Sequence, residues 1–246
     1  MRVTDHSTKE FISVYKKRIF GHEYIVFPKL LELMGVVKGK RILDLGCGVA
    51  DFSRLLAEKG ALVDAVDISG EMIETAKKLN REIKNINYAC LDASNLAIFK
   101  NKNFDFVVMN MVLINIESKD KIQKIFSEVK RVLKDNGIFI FTALHPSGLM
   151  IPNKLTEHQE HLEGFSYFED ASLFKSRVHL LGGGQIDFIN IHWTLETYFL
   201  LLQRAGLYVQ SIIEPQPVKN SPELLKDYKI PKYMFFCCKK LICSQN

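Results

Sequence analysis

Polar and apolar positions along the chain alternate between short apolar runs and stretches of helical period. Arg41–Leu45 reads as a short strand, and Phe52, Leu55 and Leu56 open a helix that stops near Gly60. Leu62–Asp67 reads as a second strand. Ser69 is placed to cap a helix whose Met72, Ile73, Ala76 and Leu79 share one face. Ile86–Leu91 and Phe104–Asn110 are further strands. Ile122, Ile125, Phe126, Val129 and Leu133 follow at helical spacing. Asn136-Gly137 is expected to break that helix, and Ile138–Leu144 to form the next strand. After His145-Pro146 the rhythm fails, and residues 146 to about 190 are mixed, with glycines at 182, 183 and 184. Thr194 opens an amphipathic helix carrying Leu195, Tyr198, Phe199 and Leu202, ended by Gly206. Two last strands are expected near Leu207–Ile213 and Lys232–Lys239.

Strands that read as continuous apolar runs and alternate with helices predict a parallel sheet covered on both faces. The expected organisation is an α/β domain over 36–246, a helical N-terminal extension over 1–35, and an inserted segment at 146–190. Composition adds little that is specific. The 246 residues are 47% apolar and 25% charged, with a net charge of +5, as in ordinary globular proteins. The charge is scattered. Lys16-Lys17-Arg18 and Lys239-Lys240 lack interleaved aromatics, so a nucleic-acid partner is not expected. No apolar h-region opens the chain and no apolar run approaches membrane-spanning length. Cysteines at 47, 90, 237, 238 and 243 form no C-x-x-C pair and read as reduced thiols of a cytoplasmic protein. The histidines stand apart, and no metal-ligand spacing is present.

The stretch RILDLGCGVADFSRLL carries the chemistry. Gly46 and Gly48 let the backbone approach a ligand closely, at the end of a first strand where open α/β sheets bind ligands. A dinucleotide fingerprint starting at Gly46 needs a third glycine at 51, where Asp51 stands instead. A carboxylate at that helix N-terminus, with Asp44 ahead of the turn, repels a pyrophosphate. Both acids suit a ligand with cationic groups and no phosphate, and S-adenosylmethionine carries an ammonium and a sulfonium.

With those residues, ILDLGCG resembles motif I of the class I S-adenosylmethionine-dependent methyltransferases. ALVDAVDISGEM resembles the second-strand motif, CLDA the third, and Asn110-Met111 the end of the fourth strand. HWTLETYFLLLQRAGL followed by EPQP resembles a small-molecule subgroup of the same family. The resemblance implies a Rossmann-like fold with a seven-stranded, mostly parallel sheet and helices on both faces, the insertion at 146–190 lying on the substrate side. It implies S-adenosyl-L-methionine as cofactor. Asp44, Gly46 and Gly48 would form the loop, and Asp67 would grip the ribose hydroxyls. Ile68 and Met72 would flank the adenine, Asp92 and Ala93 would meet its amino edge, and Asn110 and Met111 would line the methionine portion. Tyr15 and Arg18 could reach the cofactor carboxylate from the N-terminal helix. Two positions depart from the family: Ala50 replaces the third loop glycine, and Trp193 stands where the subgroup has arginine.

The implied activity is methyl transfer to a small, apolar or aromatic acceptor, at oxygen in preference to nitrogen. Methyl transfer to a nucleic acid, or cofactor binding without turnover, are the alternatives on the same fold. A hydroxyl acceptor must lose its proton, which nominates His145 and His192 as bases. Phe165, Tyr167, Phe168 and Phe174 either wall the acceptor or form a small core of their own segment.

Overall fold

Seven strands form one sheet in the order β3-β2-β1-β4-β5-β10-β9. They are β1 (Arg41–Leu45), β2 (Leu62–Asp67), β3 (Ile86–Cys90), β4 (Phe104–Asn110), β5 (Leu133–Leu144), β9 (Leu207–Ile213) and β10 (Tyr233–Lys240). The computed structural model describes residues 4–5, 8–15, 17–150, 159–181, 183–221 and 228–241, and all structural statements concern these. β1 to β5 run parallel, and β10 returns antiparallel to both β5 and β9. Strand order reverses between β1 and β4, the switch point where a ligand crevice opens beyond the carboxyl ends.

Continuous apolar runs form strands here because both faces are covered. Ile42, Val63, Phe106, Val108 and Ile140 pack toward α2 (Phe27–Met34) and α3 (Asp51–Glu58). Their neighbours Leu43, Val66, Val107 and Phe139 pack on the opposite side, with α5 (Lys119–Val132) and α7 (Leu195–Arg204). Side chains alternate across a strand, so an all-apolar run feeds two cores at once. The capping signals act as expected. Ser69 Oγ accepts from Met72 N at 3.2 Å to start α4 (Gly70–Leu79), and Thr194 Oγ1 accepts from Thr197 N at 3.2 Å to start α7.

One expectation needs correction. Asn136-Gly137 does not separate helix from strand, because α5 ends at Val132 and Leu133 is already extended. The glycine instead sits in a register irregularity of β5, between the pairs Phe104–Leu133 and Phe106–Ile138. A Cβ there would meet Leu133 Cδ1 at 2.7 Å. The mixed segment carries strands of its own. It holds a three-stranded antiparallel sheet of β6 (Gln159–His161), β7 (Leu173–His179) and β8 (Gln185–Ile191).

This small sheet is tied to the N-terminal extension. Ile189 N donates to Thr4 Oγ1 at 2.6 Å, Thr4 N to Ile189 O at 3.2 Å, and Leu181 N to Arg18 O at 3.0 Å. Ile19 pairs with Leu180 and joins Val178, Leu180 and Phe188 in a separate apolar cluster, against which Phe11 and Val14 of α1 (Lys9–Tyr15) pack. The extension and the insertion thus form one cover over the carboxyl ends of the strands.

Candidate active site

A cleft of about 490 Å³ opens where those strand ends meet the cover. β1 contributes Gly46 and Gly48, β2 ends in Asp67, the turn after β3 brings Asp92 and Ala93, and β4 ends in Asn110 and Met111. Ile68 and Met72 line it too, the first exposed and the second buried. Nine of the sequence-derived cofactor residues are therefore brought together on one wall.

The glycine loop is folded against β2. Gly46 N and Cys47 N both donate to Val66 O, at 2.7 and 3.0 Å. Gly48 N donates to Asp67 Oδ2 and Ser69 N to Asp67 Oδ1, each at 2.9 Å. Gly46 has φ +73°, and a Cβ there would lie 2.4 Å from Val112 Cγ2, so glycine is required twice over. Ala50, the departure from the family loop, takes φ +64° in the left-handed region and caps α3 without a side-chain bond. The turn keeps its geometry at the cost of a strained alanine.

Asp44 is buried and lies outside the main cleft, beside a smaller adjoining cavity of about 40 Å³ that also touches Arg18, His22, Gly46, Asp51 and Asn110. Its Oδ2 accepts from Ser53 Oγ at 2.6 Å. Burial, with repulsion from Asp67, pushes Asp44 up to about 6 against the Ser53 hydrogen bond. Burial likewise pushes Asp51 up to about 6, and raises Asp67. Buried carboxylates that resist ionisation in this way are relieved by a cationic ligand. An ammonium and a sulfonium fit that donor set; a phosphate does not.

Asp92 is engaged within the protein. Its Oδ1 accepts from Ser94 N and Oγ, and Lys121 pairs with Oδ2 at 2.8 Å. Burial works against ionisation there, but the Lys121 and Ser94 hydrogen bonds hold Asp92 below the ordinary carboxylate range. Asn110 Oδ1 accepts from Thr142 Oγ1 at 2.7 Å, and Thr142 Oγ1 accepts from Met111 N at 2.9 Å. That clamp holds Met111 at φ +58°, turning the chain into the cleft directly after β4.

The extension meets its expectations only in part. Arg18 reaches the small cavity, but its guanidinium pairs with Glu23 at 3.1 Å. Tyr15 ends α1, and its side chain lies outside the described set.

The two nominated histidines are not at the cleft. His145 Nδ1 meets Ser147 Oγ at 2.6 Å and Nε2 meets Glu214 Oε1 at 2.7 Å, so both ring nitrogens are taken on the β10 side. His192 is buried, with Nε2 against Tyr167 O at 2.8 Å and its ring against those of Phe165 and Tyr167; burial lowers its pKa. The four aromatics of the insertion also stay off the cleft. Phe165 packs on His161 and Phe174, Tyr167 packs on Phe168, and Phe168 is exposed. Phe174 is buried within the insertion, Phe165 and Tyr167 are half-buried beside it, and neither of the two readings describes the exposed Phe168.

The rest of the cleft lining comes from residues that local pattern does not mark. Ile19 from the extension, Val112, Ile114 and Ile116 after β4, Val178 and Phe188 from the small sheet, and Leu144 make it largely apolar. Its polar groups include Asp5, His22, Ser176, Asn190, Lys232 and Tyr233. Trp193 explains itself here. Its buried indole Nε1 donates to both Leu113 O and Ile116 O, each at 3.2 Å, bracing the short helix Leu113–Asn115 behind the wall.

A Rossmann-like sheet with a glycine loop, an acid ending the second strand and a covered cleft at the switch point defines a nucleoside-cofactor enzyme fold. Residues 43–141 match the family model described as a methyltransferase domain. A Listeria monocytogenes protein solved as an S-adenosylmethionine-dependent methyltransferase superposes with a TM-score of 0.62 at 26% identity, over 87% of this chain and 97% of that one. A Mesorhizobium loti S-adenosylmethionine-dependent methyltransferase gives a TM-score of 0.61 over 87% and 96%, at 22% identity, a likeness of fold. Residues 43–141 are thus similar to a methyltransferase domain, and the fold over most of the chain is shared with S-adenosylmethionine-dependent methyltransferases, whose cofactor is S-adenosylmethionine. Among curated relatives, the ubiquinone/menaquinone biosynthesis C-methyltransferase of Haemophilus ducreyi is 38% identical over 125 residues, 48% of this chain and 46% of that protein. The ubiquinone biosynthesis O-methyltransferase of Coxiella burnetii is 30% identical over 118 residues, 48% and 49%. The chain spans about half the length of the curated relatives it matches.

Proposed function

We propose that this chain transfers a methyl group from S-adenosylmethionine to a small, apolar or aromatic acceptor, at oxygen rather than nitrogen. The observation that carries the reading is the cleft itself. It brings Gly46, Gly48, Asp67 and Met72 together with the apolar side chains of Val112, Ile114, Val178 and Phe188. A cavity of about 490 Å³ has the size of a small-molecule site, and its apolar lining suits an apolar acceptor. The relatives named for quinone biosynthesis favour the same class.

Asp67 would hold the ribose through the carboxylate that already fixes Gly48 and Ser69, and Asp44 and Asp51 would face the cationic portion. When bound, the cofactor supplies an electrophilic methyl on a sulfonium. The protein aligns the acceptor, excludes water through the insertion and extension, and takes up a proton where the acceptor requires it. Asp67→Ala should weaken S-adenosylmethionine binding about 10- to 100-fold, as expected for losing charged hydrogen bonds. Calorimetry measures this directly. Unchanged affinity, or no turnover of any phenol, quinol or amine in a panel with labelled cofactor, would overturn the reading.

A further inference from the structure

Lys232 has no role in the resemblance and no marker in the local sequence. It stands just before β10, lines the cleft and is 1% exposed. Its Nζ is buried without a hydrogen-bond partner, and no carboxylate among the described residues pairs with it. The centroid of the Tyr233 ring lies 5.7 Å from Nζ. The main chain around it is held firmly. Lys232 N donates to Tyr228 Oη at 2.6 Å, Lys232 O accepts from His145 N at 2.7 Å, and a Cβ on Gly148 would lie 3.1 Å from Lys232 Cα. A buried, unpaired amine costs several kcal/mol unless a ligand completes it or it sheds its charge.

Resting on the methyltransferase reading, we propose that Lys232 accepts the proton of the acceptor's reacting hydroxyl, and that the acceptor is therefore a phenol or enol. The O–H bond breaks as an N–H bond forms at Nζ, and oxygen keeps the electron pair. The amine becomes an ammonium beside the oxyanion it has made. The proton passes to water when the product leaves. Asn190 offers a second contact on the same cleft: its Nδ2 donates to Ser176 Oγ at 2.7 Å, and its buried Oδ1 has no partner.

The electrostatics agree with this assignment. Burial pushes Lys232 down to about 7, so the neutral amine is available near neutral pH. Burial, with repulsion from Lys232, pushes His22 down to about 3, which leaves that ring neutral. Tyr228 is raised by burial and stays protonated. The remaining ionisable groups on the cleft are Asp5, Asp67, Asp92, Lys121 and Tyr233, and Asp92 and Lys121 neutralise each other.

The probe is 4-nitrophenol, whose phenolate is read by absorbance. Bound to the wild-type protein it should ionise at lower pH than in water, and the phenolate should bind about 10- to 100-fold more tightly than to Lys232→Met. Equal binding by the two proteins, or no binding by the wild type, overturns the proposal. Calorimetry with S-adenosylmethionine keeps the two readings apart. A wild type that binds the cofactor but not the phenolate loses only the Lys232 assignment; one that binds no cofactor loses the methyltransferase reading itself. Lys232→Arg keeps a cation and decides the matter should Lys232→Met fail to fold. Its guanidinium cannot accept a proton, so loss of methyl transfer to a phenol well below that phenol's own pKa, with cofactor binding intact, supports the proposal, and retained transfer overturns it.

Discussion

Gly46 is the residue on which the loop geometry depends most. Its positive φ alone would strain any side chain, and the 2.4 Å approach to Val112 Cγ2 leaves no room for a methyl group. Gly46→Ala should therefore destabilise the fold by about 1–2 kcal/mol from the backbone alone, with the Val112 clash added. Thermal unfolding with and without S-adenosylmethionine checks this, and the ligand-induced rise in Tm should shrink. Ala50 predicts the opposite sign. It already occupies the left-handed region at φ +64°, so Ala50→Gly relieves roughly 1 kcal/mol of strain, less the added freedom of the unfolded chain. Its net effect on Tm should be small and either neutral or stabilising; a large loss would mean that the methyl group packs more than it strains.

At the scale of elements, Trp193 links α7 to the wall of the cleft. Trp193→Phe keeps most of the packing and removes the donor shared by Leu113 O and Ile116 O. Leaving buried carbonyls unpaired costs about 1–3 kcal/mol. The short helix Leu113–Asn115 should loosen, so KM for the acceptor should rise while cofactor affinity stays near wild type. Strand and helix positions were legible wherever both faces of a strand are buried: Arg41–Leu45, Leu62–Asp67 and Phe104–Asn110 read directly from their apolar runs. The small sheet was not legible, because β7 buries only one face and carries Lys175 and Arg177 on the other, and Asp187 interrupts the apolar run of β8. Gly46, Asp67 and Asp92 could be expected on one cleft because their motifs lie at successive strand ends. His22 and Lys232 were not, since the antiparallel return of β10 brings them into one cleft from opposite ends of the chain. His145 and His192 carried the right chemistry in sequence, but their ring nitrogens have partners away from the cleft.

For the whole molecule, the buried acids make stability and cofactor binding respond to pH in opposite ways, and the buried His22 and Lys232 oppose them in stability. Asp44 and Asp51 sit near 6 in the native state, above the ordinary value of 3.8 that an unfolded chain restores. Between about pH 4 and 6 the native state holds protons that the unfolded state has lost, so these two acids lower stability as pH rises through that window. His22, pushed down to about 3, runs the other way, its unfolded form taking up a proton below about 6.5. Lys232, held near 7, adds stability as pH rises from about 7 toward 10.5, where only the unfolded amine is charged. The stability of the free protein mixes all three terms. The cofactor-induced rise in Tm isolates the acids, because a cationic ligand needs Asp44 and Asp51 ionised. That rise should be full at pH 7.5 and diminish as pH falls through about 6, approaching a tenfold loss of affinity per pH unit for each proton taken up. Asp44→Asn should lower the rise at pH 7.5 and flatten its dependence on pH. A rise that stayed constant down to pH 5 in the wild type would show that neither acid faces the cofactor's cationic groups.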